Sequence, residues 1–210
     1  MYNKKLVVHG AAFFCLFFAG FIQAQPPSGP MSFFVTSQGS GNGGDLGGLE
    51  GADEICQNLA ESVDQGHLTW RAYLSTQGDN AVNARDRIGP GPWFNANGYR
   101  VGADWDGLHD LSHRVSAETA LDERGRVIPG SFAVPNRHDV LTGSTSDGRA
   151  YPSGEDMTCS NWTSNDDGKA RVGHHDFAAW ASTHDSRGCS PDALISSGGD
   201  GLLYCFAVSQ

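Results

Sequence analysis

Adjacent histidine and aspartate residues are the part of this sequence best suited to chemistry. They occur as His138-Asp139, as His174-His175-Asp176 and as His184-Asp185. Imidazole nitrogens and carboxylate oxygens together form the donor set of zinc and other divalent transition metals. The pattern predicts a metal site drawn from five residues: His138, Asp139, His174, His175 and Asp176.

Backbone geometry limits how many of these side chains can share one ion. Neighbouring residues of an extended segment point to opposite faces, so we expect only one of His174 and His175 to bind together with Asp176. A second interpretation is structural, because a histidine bonded to a loop carbonyl or carboxylate would fix a glycine-rich loop. The sequence leaves both roles open, and zinc and calcium are the candidate metals.

A hydrolytic active site is another use of such residues, but its common signatures are missing. The sequence contains no Gly-x-Ser-x-Gly turn for a nucleophilic serine and no His-Glu-x-x-His zinc motif. We therefore expect a protein that is not an enzyme.

Aromatic and carboxylate side chains provide a further candidate site, for a glycan. Trp105 lies between Asp104 and Asp106, and Asn136 and Trp180 are additional candidates in the later part of the chain. Sugar rings stack on indole faces while carboxylates accept hydrogen bonds from sugar hydroxyl groups. Packing in the core is the alternative for Trp105, which fits the apolar face of a predicted helix.

Short strands and amphipathic helices must position these residues. Strands are predicted from β-branched, aromatic and alternating residues at 32–36, 69–75 and 202–208. Helices are predicted from apolar residues at helical spacing at 52–63 and 101–111, with a shorter helix at 81–88. Residues 112–160 contain many turns and few apolar runs, which predicts a long irregular region.

The first 24 residues have the pattern of a secretory signal peptide. Lys4 and Lys5 precede an apolar stretch that ends in Ile22-Gln23-Ala24, with a small residue at the expected cleavage point. An uncleaved membrane anchor is the alternative, although the apolar stretch is short for a bilayer. After cleavage we expect no membrane span, a proline-rich linker at 25–31 and one domain at 32–210, in a secreted or periplasmic protein.

The chain is strongly acidic. It has 24 acidic against 14 basic residues, a formal net charge of −10, and two of the basic residues, Lys4 and Lys5, lie in the leader. Such a surface would repel a phosphate backbone, so we expect no nucleic-acid partner. Four cysteines outside the leader indicate an oxidising compartment, and they could pair in three ways: Cys56, Cys159, Cys189 and Cys205.

Several segments together resemble a known fold. They are GADEIC (51–56), WRAYLS (70–75), LTGSTSDGRA (141–150), CSNWTS (159–164), GCS (188–190) and LLYCFA (202–207). In this order they resemble the C-type lectin-like fold, and more closely its endostatin-like branch and the bacterial secreted proteins of the same plan. The resemblance covers roughly 33–208.

The resemblance implies an α+β domain with a small, twisted, mostly antiparallel sheet, two helices and a long irregular loop region. It also implies two nested disulfides, Cys56–Cys205 and Cys159–Cys189. The placement of Cys56 in a predicted helix and of Cys205 in the closing strand favours the same pairing.

Departures from the family limit what the resemblance implies about function. Calcium-dependent sugar-binding members carry Glu-Pro-Asn or Gln-Pro-Asp and Trp-Asn-Asp triplets, whereas this chain has Val134-Pro135-Asn136 and Asn161-Trp162-Thr163. Endostatin is basic and binds heparin, and its zinc site uses N-terminal histidines. This chain is acidic and has no histidine between Gln25 and Gly66. The usual calcium–sugar site and the heparin-binding surface are therefore not expected.

The leading hypothesis is a secreted, disulfide-bonded binding module that recognises a glycan or an extracellular or cell-surface protein through residues 112–190. One alternative is a divalent-metal-dependent secreted protein or enzyme that uses the histidine and aspartate residues. The other is an adhesion or matrix-interaction protein without a small-ligand site.

Overall fold

A computed structural model describes residues 28–177 and 179–208. The predicted signal peptide therefore lies outside the described residues. The described chain is an α+β domain. Its helices are α1 (Gly48–Glu61), α2 (Trp105–His109), α3 (Cys159–Trp162) and α4 (Pro191–Ser197), with a 3-10 helix at Ala84–Arg87. Its strands are β1 (Phe33–Val35), β2 (Trp70–Ala72), β3 (Trp93–Phe94), β4 (Arg100–Gly102), β5 (Asp139–Leu141), β6 (Arg171–His174), β7 (His184–Asp185) and β8 (Gly199–Ala207).

The main sheet is mixed and has six strands, in the order β1-β8-β5-β6-β7, with β2 also paired to β8. β5 runs parallel to β8, and every other pair in this sheet is antiparallel. Strands β3 and β4 form a separate pair. The first and last strands of the described domain are thus neighbours.

The closing strand β8 is buried on both faces. Alternate residues Leu203, Cys205 and Ala207 pack in one apolar cluster, which includes the buried face of α1. Their neighbours Leu202, Tyr204 and Phe206 pack in a second cluster. Burial on both sides explains why this segment is an almost continuous apolar run rather than an alternating one.

Both predicted disulfides are present. Cys56–Cys205 joins α1 to β8 across 149 residues, and Cys159–Cys189 is nested inside it with a separation of 30 residues. Two disulfides in one domain indicate an oxidising environment, extracellular or periplasmic. Among residues 28–177 and 179–208, no helix is both long and apolar enough to cross a bilayer.

Two predictions about local structure were wrong. The second helix covers only Trp105–His109 rather than 101–111, because Val101 lies in β4 and the backbone at Asp110 is extended. Trp105 does not pack in the core, since 43% of it is exposed. The Asp104 carboxylate caps this short helix by accepting from the Gly107 N–H, and this cap explains where the helix begins.

Two residues of the predicted linker contact the domain. Met31 is buried in the apolar core, and Ser28 forms an isolated bridge with Tyr99. The structured part of the chain therefore includes residues 28–31. Residues 25–27 lie outside the described part.

The turn α3 has left-handed backbone geometry at all four residues, with φ between 48° and 66°. The Asp156 carboxylate accepts from the Ser160 N–H, and the Trp162 indole donates to the Ser75 carbonyl at 2.8 Å. Left-handed geometry is unfavourable by roughly 1–2 kcal/mol per residue outside glycine. These contacts and the Cys159–Cys189 bridge hold the turn in place. Asn161-Trp162-Thr163, which has the form of a glycosylation sequon, thus lies in a packed turn.

Candidate metal centre

Four side chains converge at one end of strands β5, β6 and β7. His138 immediately precedes β5, Asp139 begins it, His174 ends β6 and His184 begins β7. Each of the four offers one ligand atom, and these atoms all lie within 4.8 Å of one another.

Strand register accounts for this convergence. Asp139 is directly opposite His174 in the antiparallel β5–β6 pair. On the other side of β6, His184 is directly opposite Val172. Val172 and His174 are two residues apart in β6, so their side chains lie on the same face of the sheet, and His184 shares that face. Cross-strand neighbours of this kind have side chains in contact. The sheet itself thus places the three residues on its strands side by side.

The Asp139 carboxylate is the centre of the cluster. Its Oδ1 atom lies 2.9 Å from His138 Nε2, 3.1 Å from His174 Nε2 and 3.4 Å from His184 Nε2. The side chain of Asp139 is only 3% exposed, whereas that of His184 is 40% exposed. The cluster is therefore closed on the Asp139 side and open to solvent beside His184.

The electrostatics of the cluster suit a cation. Neither carboxylate oxygen of Asp139 accepts a regular hydrogen bond from any described residue. A buried carboxylate without donors is strongly unfavourable unless a positive charge compensates it. Burial lowers the pKa of His138, and the opposing effect of the Asp139 charge does not cancel this shift. His138 is therefore neutral at pH 7, the form that binds metals.

The tautomer of His184 also suits metal binding. Its Nδ1 lies 2.9 Å from the backbone carbonyl of Asp185. A carbonyl can only accept, so Nδ1 carries the proton and the Nε2 lone pair is free. That free Nε2 is the atom directed at Asp139.

Three of the five predicted metal residues, His138, Asp139 and His174, meet in this cluster. His175 does not join them, because it points to the opposite side of the chain and is fully buried; its backbone N–H donates to the His138 carbonyl at 3.1 Å. Asp176 also stays outside, with its Oδ1 3.9 Å from His138 Nδ1. His184 joins the cluster although it was not among the five predicted ligands; it occurs in the sequence as the pair His184-Asp185. Antiparallel pairing of 171–174 with 184–185 brings His184 into the cluster, and a strand of two residues leaves no pattern in the sequence that would predict this pairing.

The predicted glycan residues differ in exposure and in their partners. Trp180 is 2% exposed, and its indole donates to the Leu108 carbonyl at 2.9 Å. This burial leaves little of the indole face open to a sugar, so it does not support the predicted stacking role of Trp180. Asp106 is exposed and lies 3.6 Å from Arg85. Asn136 lies beside the metal centre, where its side-chain oxygen accepts from the His138 N–H at 3.1 Å.

No protein-family model matches this chain, and no curated protein matches it.

Proposed function

We propose that this protein is a secreted or periplasmic binding module whose loops are stabilised by a divalent transition-metal ion, with zinc the best fit. The ligands are His138, Asp139, His174 and His184. The observation that carries the proposal is the convergence of three imidazole Nε2 atoms on one buried oxygen of Asp139, at 2.9, 3.1 and 3.4 Å.

The donor set selects the metal class. Zinc binds imidazole nitrogen and carboxylate oxygen at roughly 2.0–2.2 Å with tetrahedral geometry, which separates adjacent donors by about 3.3 Å. The three nitrogen–oxygen distances lie close to that value. Calcium instead requires about 6–8 oxygen ligands. Three nitrogen donors therefore favour zinc over calcium.

The number of protein ligands supports a stabilising role for the ion. Four side chains would complete a tetrahedral shell, whereas catalytic zinc keeps one position for water or substrate. The ion would join the segment before β5 to β6 and β7. We therefore propose a metal that holds the sheet edge and the adjoining loops, rather than an enzyme.

Direct metal analysis tests this proposal. Purified protein loaded with zinc and dialysed should retain one equivalent by elemental analysis, and calorimetry should give one binding site. His184→Ala should lose that site, whereas His67→Ala, which changes an exposed histidine far along the chain from the cluster, should keep it. Equal zinc contents in the two variants would show that the cluster is not the binding site.

Recognition of a glycan or an extracellular protein is the second part of the proposal. A surface cavity of about 300 Å³ lies mostly within the predicted recognition region and is lined partly by His109, Asp110, His113 and Ser146. Its volume is at the lower end of the range for small-molecule sites. The paired terminal strands and nested disulfides are compatible with the proposed C-type lectin-like fold.

Glycan arrays probed with zinc-loaded protein and with chelator-treated protein test the recognition role. We expect binding that weakens after chelation, because the ion would hold the adjoining loops. Absence of binding in both conditions would contradict the glycan half of the proposal and leave a protein partner.

A further inference from the structure

Asp176 lies behind His138, outside the four proposed metal ligands. Its Oδ1 is 3.9 Å from His138 Nδ1, while His138 Nε2 is the ring nitrogen in contact with Asp139. The Asp176 side chain is 7% exposed. Neither this oxygen nor His138 Nδ1 has a hydrogen-bond partner among the described residues. A buried acceptor and a buried ring nitrogen thus face each other just beyond hydrogen-bond distance.

The second oxygen of Asp176 is attached to a neighbouring loop. Its Oδ2 accepts from the Ser131 N–H at 2.7 Å. Ser131 belongs to residues 129–137, which we call the tip loop. The Arg137 N–H donates to the Pro129 carbonyl at 3.2 Å and closes this loop. Phe132 and Val134 are almost fully exposed on it, at 97% and 101%.

Asp176 is better placed to support a ligand than to be one. The group of residues with metal-ligand spacing in the described part of the chain contains His138 but not Asp176. Histidines that bind metals usually donate their second ring N–H to a carboxylate or carbonyl, which fixes the tautomer and the ring orientation. His184 has such a partner in the Asp185 carbonyl. Asp176 is the corresponding partner available to His138.

We propose that Asp176 is a positioning residue of the metal centre: it accepts from His138 Nδ1–H, keeps Nε2 free for the ion, and links metal binding to the conformation of the tip loop. This inference rests on the proposed metal function. A cation on Nε2 makes Nδ1–H a stronger donor, so metal binding should shorten the separation between His138 and Asp176. Ser131 should move together with Asp176, because its backbone N–H donates a hydrogen bond to the same carboxylate.

The variant Asp176→Asn tests the positioning role, because asparagine has nearly the same shape. Its amide oxygen can still accept from Ser131, but its amide N–H would face His138 Nδ1 and favour the tautomer with a protonated, blocked Nε2. We expect zinc affinity to fall about 10–100-fold. The visible absorption of the cobalt-substituted protein should also change, because the coordination of one ligand changes.

Asp200→Asn is the matched control. Asp200 also contacts the tip loop, through an ion pair with Arg137 at 2.7 Å, and this is an ion pair with a residue that is not a proposed ligand. Its zinc affinity and cobalt spectrum should equal those of the unmodified protein. A second variant, Gly130→Ala, acts on the Asp176 carboxylate without changing its chemistry. A Cβ atom at Gly130 would lie 2.7 Å from Asp176 Oδ2 and displace it, so zinc affinity should again fall.

Hydrogen exchange of residues 129–137, with and without zinc, tests the link to the loop. Zinc should slow exchange there in the unmodified protein and in Asp200→Asn. It should have little effect in Asp176→Asn, even at saturating zinc. Unchanged zinc affinity and cobalt spectra in both Asp176→Asn and Gly130→Ala would overturn the inference while leaving the metal site intact. Failure of the unmodified protein to bind zinc would overturn both proposals.

Discussion

Asp139 and His174 face each other across strands β5 and β6, with Asp139 Oδ1 and His174 Nε2 3.1 Å apart. The pairing lies inside the sheet rather than on a mobile surface, so the separation of the two donors is set by strand geometry. His138 and His184 then join the pair from the adjoining segment and from the edge strand. A site built on strands holds its ligands more exactly in register than a site built on loops alone.

Replacing Asp139 by asparagine should affect the metal-free and metal-bound proteins in opposite directions. The change removes a buried charge that has no regular hydrogen-bond donor among the described residues. We therefore expect the free energy of unfolding of the metal-free protein to rise by about 1–3 kcal/mol. Zinc binding should be lost. Urea unfolding with and without zinc measures both effects; a destabilised metal-free Asp139→Asn protein would contradict this account of the carboxylate.

Zinc should stabilise the unmodified protein by mass action. A ligand that binds only the folded state at about 100 times its dissociation constant adds about 2.7 kcal/mol to the free energy of unfolding. Thermal and urea unfolding should show this increase and its reversal by chelator. His184→Ala should show neither, and His67→Ala should behave like the unmodified protein. Equal stabilisation of His184→Ala would place the zinc elsewhere.

The stability of the metal-free protein should fall as the solution is acidified below about pH 6.5, the ordinary pKa of histidine. Burial is the largest influence on the pKa of His109 and lowers it, and the charge of Arg85 lowers it further. The Trp105 carbonyl, Asp147 and Asp106 raise the pKa, but each by less than burial lowers it. His109 Nδ1 also lies 2.7 Å from the Trp105 carbonyl, so in the neutral ring Nε2 accepts from the Tyr73 hydroxyl.

The sign follows from proton uptake. Below the ordinary histidine pKa the unfolded chain binds a proton at this position that the folded chain does not, so acid favours unfolding until the lower folded pKa is passed. Above it, both states are neutral and the contribution is constant. His109→Gln should reduce the slope of unfolding free energy between pH 6.5 and 5, measured in chelator. An unchanged slope would assign the pH dependence to His138 and His175, the two other histidines whose pKa burial lowers.

The two disulfides should contribute unequally to stability. Chain-entropy arguments give about 5 kcal/mol for the loop closed by Cys56–Cys205 and about 3.5 kcal/mol for the one closed by Cys159–Cys189. Paired alanine substitutions at each bridge, compared by urea unfolding, measure the difference. The double variant at Cys56 and Cys205 should be the less stable one. The reverse order would show that strain or residual structure in the unfolded state outweighs loop length.

The scaffold was more predictable from sequence than the site. The apolar face around Cys56 and the apolar run around Cys205 marked the helix and strand that the long disulfide joins, because burial imposes a clear pattern on both. The spacing of apolar residues at 101–111 predicted too long a helix, because the Asp104 cap and the extended backbone at Asp110 set its limits. Periodicity cannot detect such local side-chain bonds.

The composition of the site was only partly predictable. Alternation along an extended segment limited the site to one of His174 and His175, and the structure selects His174. His184 was harder to include, since β7 has only two residues and leaves no alternating pattern in the sequence. Its place depends on long-range pairing with β6, which a single sequence does not display.

The position of His184 has a consequence for solubility. β7 is the edge strand of the main sheet and covers one side of β6. Uncovered strands expose unpaired N–H and C=O groups, to which a strand of a second molecule can add. An ion bound by His184 would hold the two-residue strand β7 against β6. Loss of the ion would then do more than lower stability: it would expose a surface for self-association, so that the metal supply would also protect the protein from aggregation.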